Sequence, residues 1–140
     1  MKDVDNTALD QELTAALRAR GQRVTLPRLL VHRHVRQAPA HVTPEQLHAE
    51  LPSLSPATIY GTLDLLDDLG FVHRVSTPRG GTVYDSRVDD HHHVICRSCG
   101  RIEDVEAPLE TSGAERAAAA AGFRVDHRQL AIYGLCADCR

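Results

Sequence analysis

The chain has 140 residues and a formal net charge of −3, a length that holds either one ordinary domain or two small lobes, each near the lower limit for folding alone. A hydrophobic share of 42% and a charged share of 25% are ordinary for a globular protein and exclude a disordered, collagenous or coiled-coil chain. No apolar run approaches the roughly 20 residues of a bilayer span and the N-terminus has no apolar signal segment, so a cytoplasmic protein with no membrane partner is expected.

In chain order, Leu9, Leu13, Ala16 and Leu17 at helical spacing predict a first helix over 8–20, stopped by Gly21. Thr25 is placed to cap a second, "LPRLLVHRHVRQ", with Pro27 in its first turn and Leu29, Leu30, His34 and Val35 along its length. "APAHV" breaks the pattern before Thr43 and Pro44 open a third helix, "PEQLHAEL". Ser55 and Pro56 start a fourth, closed by Gly70. On it Ile59, Thr62, Leu63, Leu66 and Leu69 share the face expected to be buried, and Ala57, Tyr60, Gly61, Asp64 and Asp68 share the other. Two β-rich runs, "FVHRVST" and "GTVYDS", flank "PRGG" and read as a hairpin. Helices followed by a two-stranded wing make a winged helix-turn-helix, in which the helix before the wing enters the DNA major groove.

The charge distribution bears on that expectation. No acid lies between Glu12 and Glu45, whereas Arg18, Arg20, Arg23, Arg28, Arg33 and Arg36 all do. Charge alone leaves a solvated basic face and a phosphate-binding surface equally open.

From residue 90 the composition shifts. "HHHVIC", "RIEDVEA" and "FRVDHRQLAIYGLC" read as strands, with the Ala-rich "LETSGAERAAAAAG" as a helix between the second and third. A boundary in the "SRVDD" loop gives a DNA-binding domain over 1–87 and a small α/β domain over 88–140, an α+β chain overall. The second lobe is small enough to need a metal or a partner subunit.

Its four cysteines, Cys96, Cys99, Cys136 and Cys139, form two Cys-x-x-Cys pairs. Two such knuckles suit a closed tetrahedral Zn²⁺ site, which leaves no position open for chemistry and ties the last strand to the first. Redox pairs are the rival, but those want a cysteine at a helix N-terminus after a strand, which this sequence does not offer. Strand alternation sends His91 and His93 to one face and His92 to the other. Asp104 on the neighbouring strand can supply an oxygen to the first two. Mixed imidazole and carboxylate ligation suits manganese, iron(II) or zinc, and a solvated His-rich turn is the alternative.

"LSPATIYGTLDLLDDLGFVHRV", "YDSRVDDHHHVICRSCGRIEDVE" and "IYGLCADC" resemble the ferric uptake regulator family of metal-sensing repressors over nearly the whole chain. The resemblance implies a homodimer, each subunit with an N-terminal winged helix and a C-terminal α/β dimerisation lobe, that binds palindromic double-stranded operators when a regulatory metal is present. It further implies structural zinc on the four cysteines and regulatory Fe²⁺ or Mn²⁺ on His41, Asp85, His91, His93 and Asp104, a set that would bridge the two lobes. DNA contacts are expected from Arg18 and Arg23, and from Thr58, Tyr60 and Gly61 on the fourth helix. Gly61 departs from the Arg or Asn usual after the tyrosine.

Asp at 104, where iron-uptake members typically carry Glu, resembles the peroxide-sensing branch, in which iron(II) reacts with hydrogen peroxide and a ligand histidine is oxidised. His41 and His91 are the matching positions. Manganese- or iron-uptake control is the closest competitor. Zinc-uptake members place a cysteine near the wing end, and none occurs there. Some members carry a further metal site using His92 and residues near Thr111 and Arg128, which are poor ligands here. A hydrolytic enzyme would need a general base outside the ligand set, and the sequence offers none, so no enzyme is expected. A zinc-stapled interaction module without a DNA role is the remaining alternative.

Overall fold

The structure, a computed structural model, describes residues 5–38, 41–78, 80–89 and 91–140. Two compact units divide the chain, Met1–Ser76 with Gly80–Val88 and Thr77–Arg79 with Asp89–Arg140. The architecture is α+β.

In the first unit the order is α1 (Asn6–Ala19), α2 (Leu26–Gln37), β1 (His41–Val42), α3 (Pro44–Glu50), α4 (Pro56–Asp68), β2 (His73–Ser76) and β3 (Thr82–Asp85). Each helix begins where the sequence supplies an oxygen for its unpaired amides: Asp5, Thr25, Thr43 and Ser55 accept from the backbone N–H of Thr7, Arg28, Gln46 and Thr58. For α3 the cap is reciprocal, because the Gln46 side chain also accepts from Thr43 N–H at 2.9 Å. Behind these caps Leu13 and Leu17 of α1, Val31 and Val35 of α2, Leu47 of α3, Ile59, Leu63 and Leu66 of α4, and Tyr84 of β3 form one core. Full burial of such side chains contributes about 1.5–3 kcal/mol each. The α4 faces fall as its periodicity predicts, with Tyr60 and Gly61 on the exposed side.

Three features of this unit depart from the sequence expectation. The buried stripe of α2 is Val31, His32 and Val35, while Leu29 and Leu30 pack only partly and His34 is half-buried. An imidazole in the core was not anticipated, because histidine carries no apolar signal. The "APAHV" break ends in a two-residue strand, β1, which adds to the wing to make a three-stranded sheet in the order β1-β3-β2. Asp64, on the exposed face of α4, is held in an ion pair by Arg74 of β2 rather than left bare, and the Tyr84 hydroxyl donates to it at 3.4 Å.

The second unit holds β4 (His92–Cys96), β5 (Ile102–Val105), α5 (Ser112–Ala120) and β6 (Ala131–Gly134). β4 is central, antiparallel to β5 and parallel to β6, with α5 in the crossover that a parallel pair requires. The last strand is shorter than the sequence run suggested: 123–130 carries no regular element, and only Ala131–Gly134 pairs. Nor is His91 within β4; it immediately precedes it. No residue of α5 is buried, and Phe123, Ile132, Tyr133 and Leu135 stay exposed.

His32 gives the first unit a measurable dependence on pH. Its side chain is fully buried, edge-on to Phe71 at 4.9 Å, and among the described residues neither ring nitrogen has a hydrogen-bond partner. Burial lowers its pKa, against the pull of the Glu12 carboxylate 3.8 Å from Nε2. The neutral ring is therefore favoured in the folded state. The stability this contributes is complete above the unfolded value of 6.5 and is lost as pH falls below it, because the unfolded chain then binds a proton more readily. Urea titrations at about pH 7 and about pH 5 should show a fall in midpoint that His32→Leu reduces; an equal fall in both proteins would show that His32 is not its source.

Candidate metal centres and nucleic-acid face

The four cysteines converge. Cys96 ends β4, Cys99 follows on the turn closed by Gly100 at φ +79°, and Cys136 and Cys139 follow β6. Arg97 N–H donates to Gly134 O at 2.9 Å and ties the first knuckle to the end of β6, while Gly100 N–H closes the first knuckle's own turn on Cys96 O at 2.9 Å. All four sulfurs lie within 4.8 Å of one another, and Cys99 Sγ is 3.8 Å from Cys136 Sγ. A tetrahedral zinc with Zn–S bonds of about 2.3 Å has S–S edges of about 3.8 Å, so the donor set fits that ion. At Cys96 the backbone already favours the thiolate. Backbone N–H groups of Cys99 and Cys136 point at Cys96 Sγ, each at 3.5 Å, and draw its pKa down to about 5. The neighbouring Cys136 sulfur pushes Cys139 up. Sulfurs this crowded repel one another as thiolates until a divalent cation neutralises them.

The imidazole and carboxylate residues form one group in each unit. In the first, His41 and Asp85 are direct partners across the antiparallel β1–β3 pair, with His41 Nε2 3.4 Å from Asp85 Oδ2. Asp85 is buried, and its other oxygen accepts from Arg87 N–H at 2.9 Å, which holds the carboxylate in place. In the second, His93 and Asp104 are direct partners across β4–β5, with Nε2 3.5 Å from Asp104 Oδ1. His91 joins them, its Nε2 3.8 Å from the same oxygen and its ring 4.7 Å from that of His93. His91 Nδ1 lies 2.7 Å from the carbonyl of Asp89, which can only accept, so Nδ1 donates there and Nε2 is the nitrogen turned toward Asp104. His92 points away from this group and lines a pocket with Leu109, Ala118 and Leu130. Beside it Glu115 pairs with Arg128 and accepts from Thr111 Oγ1 at 3.3 Å, so that carboxylate is already engaged.

Of the residues expected to meet DNA, Arg23, Thr58 and Gly61 line one groove of the first unit, where the α1–α2 turn faces the start of α4. Arg28 lines it too. It belongs to the acid-free arginine window, where charge alone does not distinguish it from its neighbours, and its guanidinium is anchored on Arg23 O. Arg18 sits in the last turn of α1, outside that lining. Tyr60 lies next to the groove, 44% exposed, with its hydroxyl donating to Glu45 at 3.1 Å, and this bond raises its pKa. An added Cβ at Gly61 would meet nothing within 4 Å, so the glycine leaves open space rather than satisfying a close contact. Among the described residues no helix is long and apolar enough to cross a membrane.

Zinc removal should cost the second unit most of its stability, since structural zinc in small domains contributes on the order of 10 kcal/mol. Thermal unfolding with and without a chelator, beside metal analysis of Cys99→Ser, tests this; a variant that melts like the parent with no bound zinc would refute a structural role.

Comparison with known proteins agrees with this geometry. The model of the ferric uptake regulator family matches residues 19–133. The peroxide-responsive repressor PerR of Staphylococcus epidermidis is 31% identical over 134 residues, which cover 93% of this chain and 89% of that protein. Among solved structures, the Vibrio cholerae ferric uptake regulator superposes with a TM-score of 0.65 at 29% identity, over 89% of this chain and 99% of that one. PerR from Streptococcus pyogenes gives 0.52 at 28%, over 94% and 93%.

Proposed function

The chain belongs to the ferric uptake regulator family, whose members are metal-responsive, dimeric DNA-binding transcription regulators and not enzymes, and we propose that within it this protein is a peroxide-sensing repressor. The observation that carries the reading is the pairing of His93 with Asp104, beside His91, in a group made only of nitrogen and oxygen donors. All four thiols are committed elsewhere. Sulfur therefore does not select zinc here, and such donors suit iron(II) or manganese(II). Similarity to peroxide-responsive repressors at 31% identity supports the same branch.

Two donors in the first unit and three in the second are each too few to fill the coordination sphere of such an ion. We infer that His41, Asp85, His91, His93 and Asp104 serve one regulatory metal. An ion held by both units binds more tightly when they take one mutual arrangement, and by linkage it stabilises that arrangement. Iron(II) there would supply the electron that reduces hydrogen peroxide. The hydroxyl radical left when peroxide is split to hydroxide would add to the ring carbon between the nitrogens of His41 or His91. Loss of one further electron to iron(III) and of a proton would leave a 2-oxo ring with amide-like nitrogens, a poor ligand that would let the ion go. Manganese(II) on the same donors gives a repressor much less responsive to peroxide, and manganese- or iron-uptake control is the second reading, favoured by the same ligands.

The winged helix would read DNA through α4. Arg23 and Arg28 along the groove supply phosphate contacts, with Arg18 beyond it, and Thr58 and Tyr60 face the bases. Phe123, Ile132, Tyr133 and Leu135, apolar and exposed, suit burial by a second copy of the second unit. A two-fold dimer presents two α4 helices, which calls for a palindromic operator.

Iron-loaded protein treated with peroxide should gain one oxygen atom on the peptide holding His41 or His91 and release promoter DNA, while manganese-loaded protein should do neither. Unmodified histidines with retained DNA binding would move the assignment to metal-uptake control. Separately, His93→Ala with Asp104→Ala should abolish the rise in promoter binding on adding Mn²⁺ in a gel shift, with zinc content intact. A normal metal response in that variant would rule out the shared site.

A further inference from the structure

Tyr60 and Glu45 come from different helices and meet at the DNA-facing end of the first unit. Glu45 stands in the first turn of α3, whose start is fixed by Thr43 and Gln46, and Tyr60 stands one turn into α4. The phenol has a single hydrogen, and it is given to Glu45 Oε1 at 3.1 Å. An ionised carboxylate accepts only, so the direction of that bond is not reversible, and the lone pairs of Tyr60 Oη are what remain for any other partner.

We propose that Glu45 is a specificity-determining residue, which commits the Tyr60 hydroxyl to acceptance so that it selects a base-edge amino group, adenine N6 or cytosine N4, in the major groove. This rests on the reading that α4 enters that groove. There guanine offers O6 and N7 and thymine offers O4, all acceptors, whereas adenine N6 and cytosine N4 are donors. A phenol free to rotate satisfies either kind. With its proton held by Glu45, Tyr60 meets guanine or thymine oxygens lone pair to lone pair, and the Glu45 carboxylate adds repulsion of the same sign. Every base pair carries one such amino group in the major groove, so the pair of residues reports which strand bears it. The carboxylate also opposes phosphate, so it lowers affinity for all DNA while widening the gap between right and wrong sequence, a gap made partly by penalising the wrong partner.

The test uses the full-length, metal-loaded protein on a promoter fragment that it protects from nuclease, with adenines and cytosines in the footprint replaced one at a time by analogues lacking the exocyclic amino group. In the parent protein one position in each half-site should lose roughly threefold to tenfold in affinity on losing its amino group. Tyr60→Phe should bind the unmodified fragment more weakly and be indifferent to that replacement. Glu45→Ala should bind DNA at large more tightly yet accept guanine or thymine at that position. Glu45→Gln, which drops the charge and whose amide can donate as well as accept, should bind DNA at large more tightly and weaken the preference without abolishing it. If Tyr60→Phe binds the fragment as the parent does, the reading of α4 as the base-contacting helix fails. If Tyr60→Phe weakens binding but Glu45→Ala keeps the parent ranking of bases, that reading stands and the role of Glu45 is overturned.

Discussion

In an antiparallel strand pair, directly opposed residues stand about 4.5–5.5 Å apart, close enough for an imidazole and a carboxylate to share one ligand. Both groups of nitrogen and oxygen donors in this protein are built that way, His41 opposite Asp85 and His93 opposite Asp104. A slip of one residue in either register would send one partner to the other face of the sheet and dissolve the group. Neither pairing is protected by length, since β1 has two residues and β5 four. Their registers are held from outside. On one side Val42 enters the first unit's core and fixes β1; on the other the sulfur centre closes the end of the β4–β5 hairpin.

That second dependence links the two kinds of metal chemistry through one strand. β4 carries His93 and Cys96 three residues apart, so alternation points them to opposite faces. A cation on the four sulfurs ties the knuckle after β4 to the knuckle after β6, and Cys96 N–H donates to Arg101 O at 2.8 Å where the hairpin turns toward β5. The same connections set Asp104 against His93. The sulfur centre therefore bears on the His93–Asp104 pair without touching it, by holding the strand register that brings these two donors together. This also explains the chemical segregation. A sulfur placed in the His and Asp group would draw it toward zinc, and a nitrogen or oxygen placed among the cysteines would weaken the staple.

Much of this was legible in the residues, and what was not has a physical cause. Thr25, Thr43 and Ser55 mark helix starts because a side-chain oxygen three residues before an unpaired amide is a local device, complete within the sequence that encodes it. The α4 stripe and the cysteine knuckles are local in the same sense. What escaped is what depends on distant partners. β1 is too short to show a period and exists only because Tyr84 and Asp85 offer it an edge. His32 reads as polar and is buried because the α1–α2 packing closes over it. Residues 123–130 look β-prone, yet only the stretch beside β4 finds a ladder. Asp64 reads as a bare acid on the exposed face of α4, and only the pairing of β2 beside it brings Arg74 to it. The donor set was named through resemblance to a family, and its pairwise geometry came only with the sheet registers.

The charge pattern bears on why a metal should govern DNA binding at all. The chain is net acidic, six of its fifteen arginines lie in the acid-free stretch between Glu12 and Glu45, and Glu45 itself sits beside Tyr60. A reading head in a net-acidic chain gains less from the non-specific attraction that dominates most protein–DNA affinity than a strongly basic one does. Two heads joined in a dimer change this, because the second binds at the effective concentration set by the first, but only where both meet their half-sites together. Weak heads make the dimer's affinity depend steeply on geometry. On the proposed function, an ion shared by the two units would act on the product of two binding events, and a small bias at the ligands would become a large change in DNA occupancy.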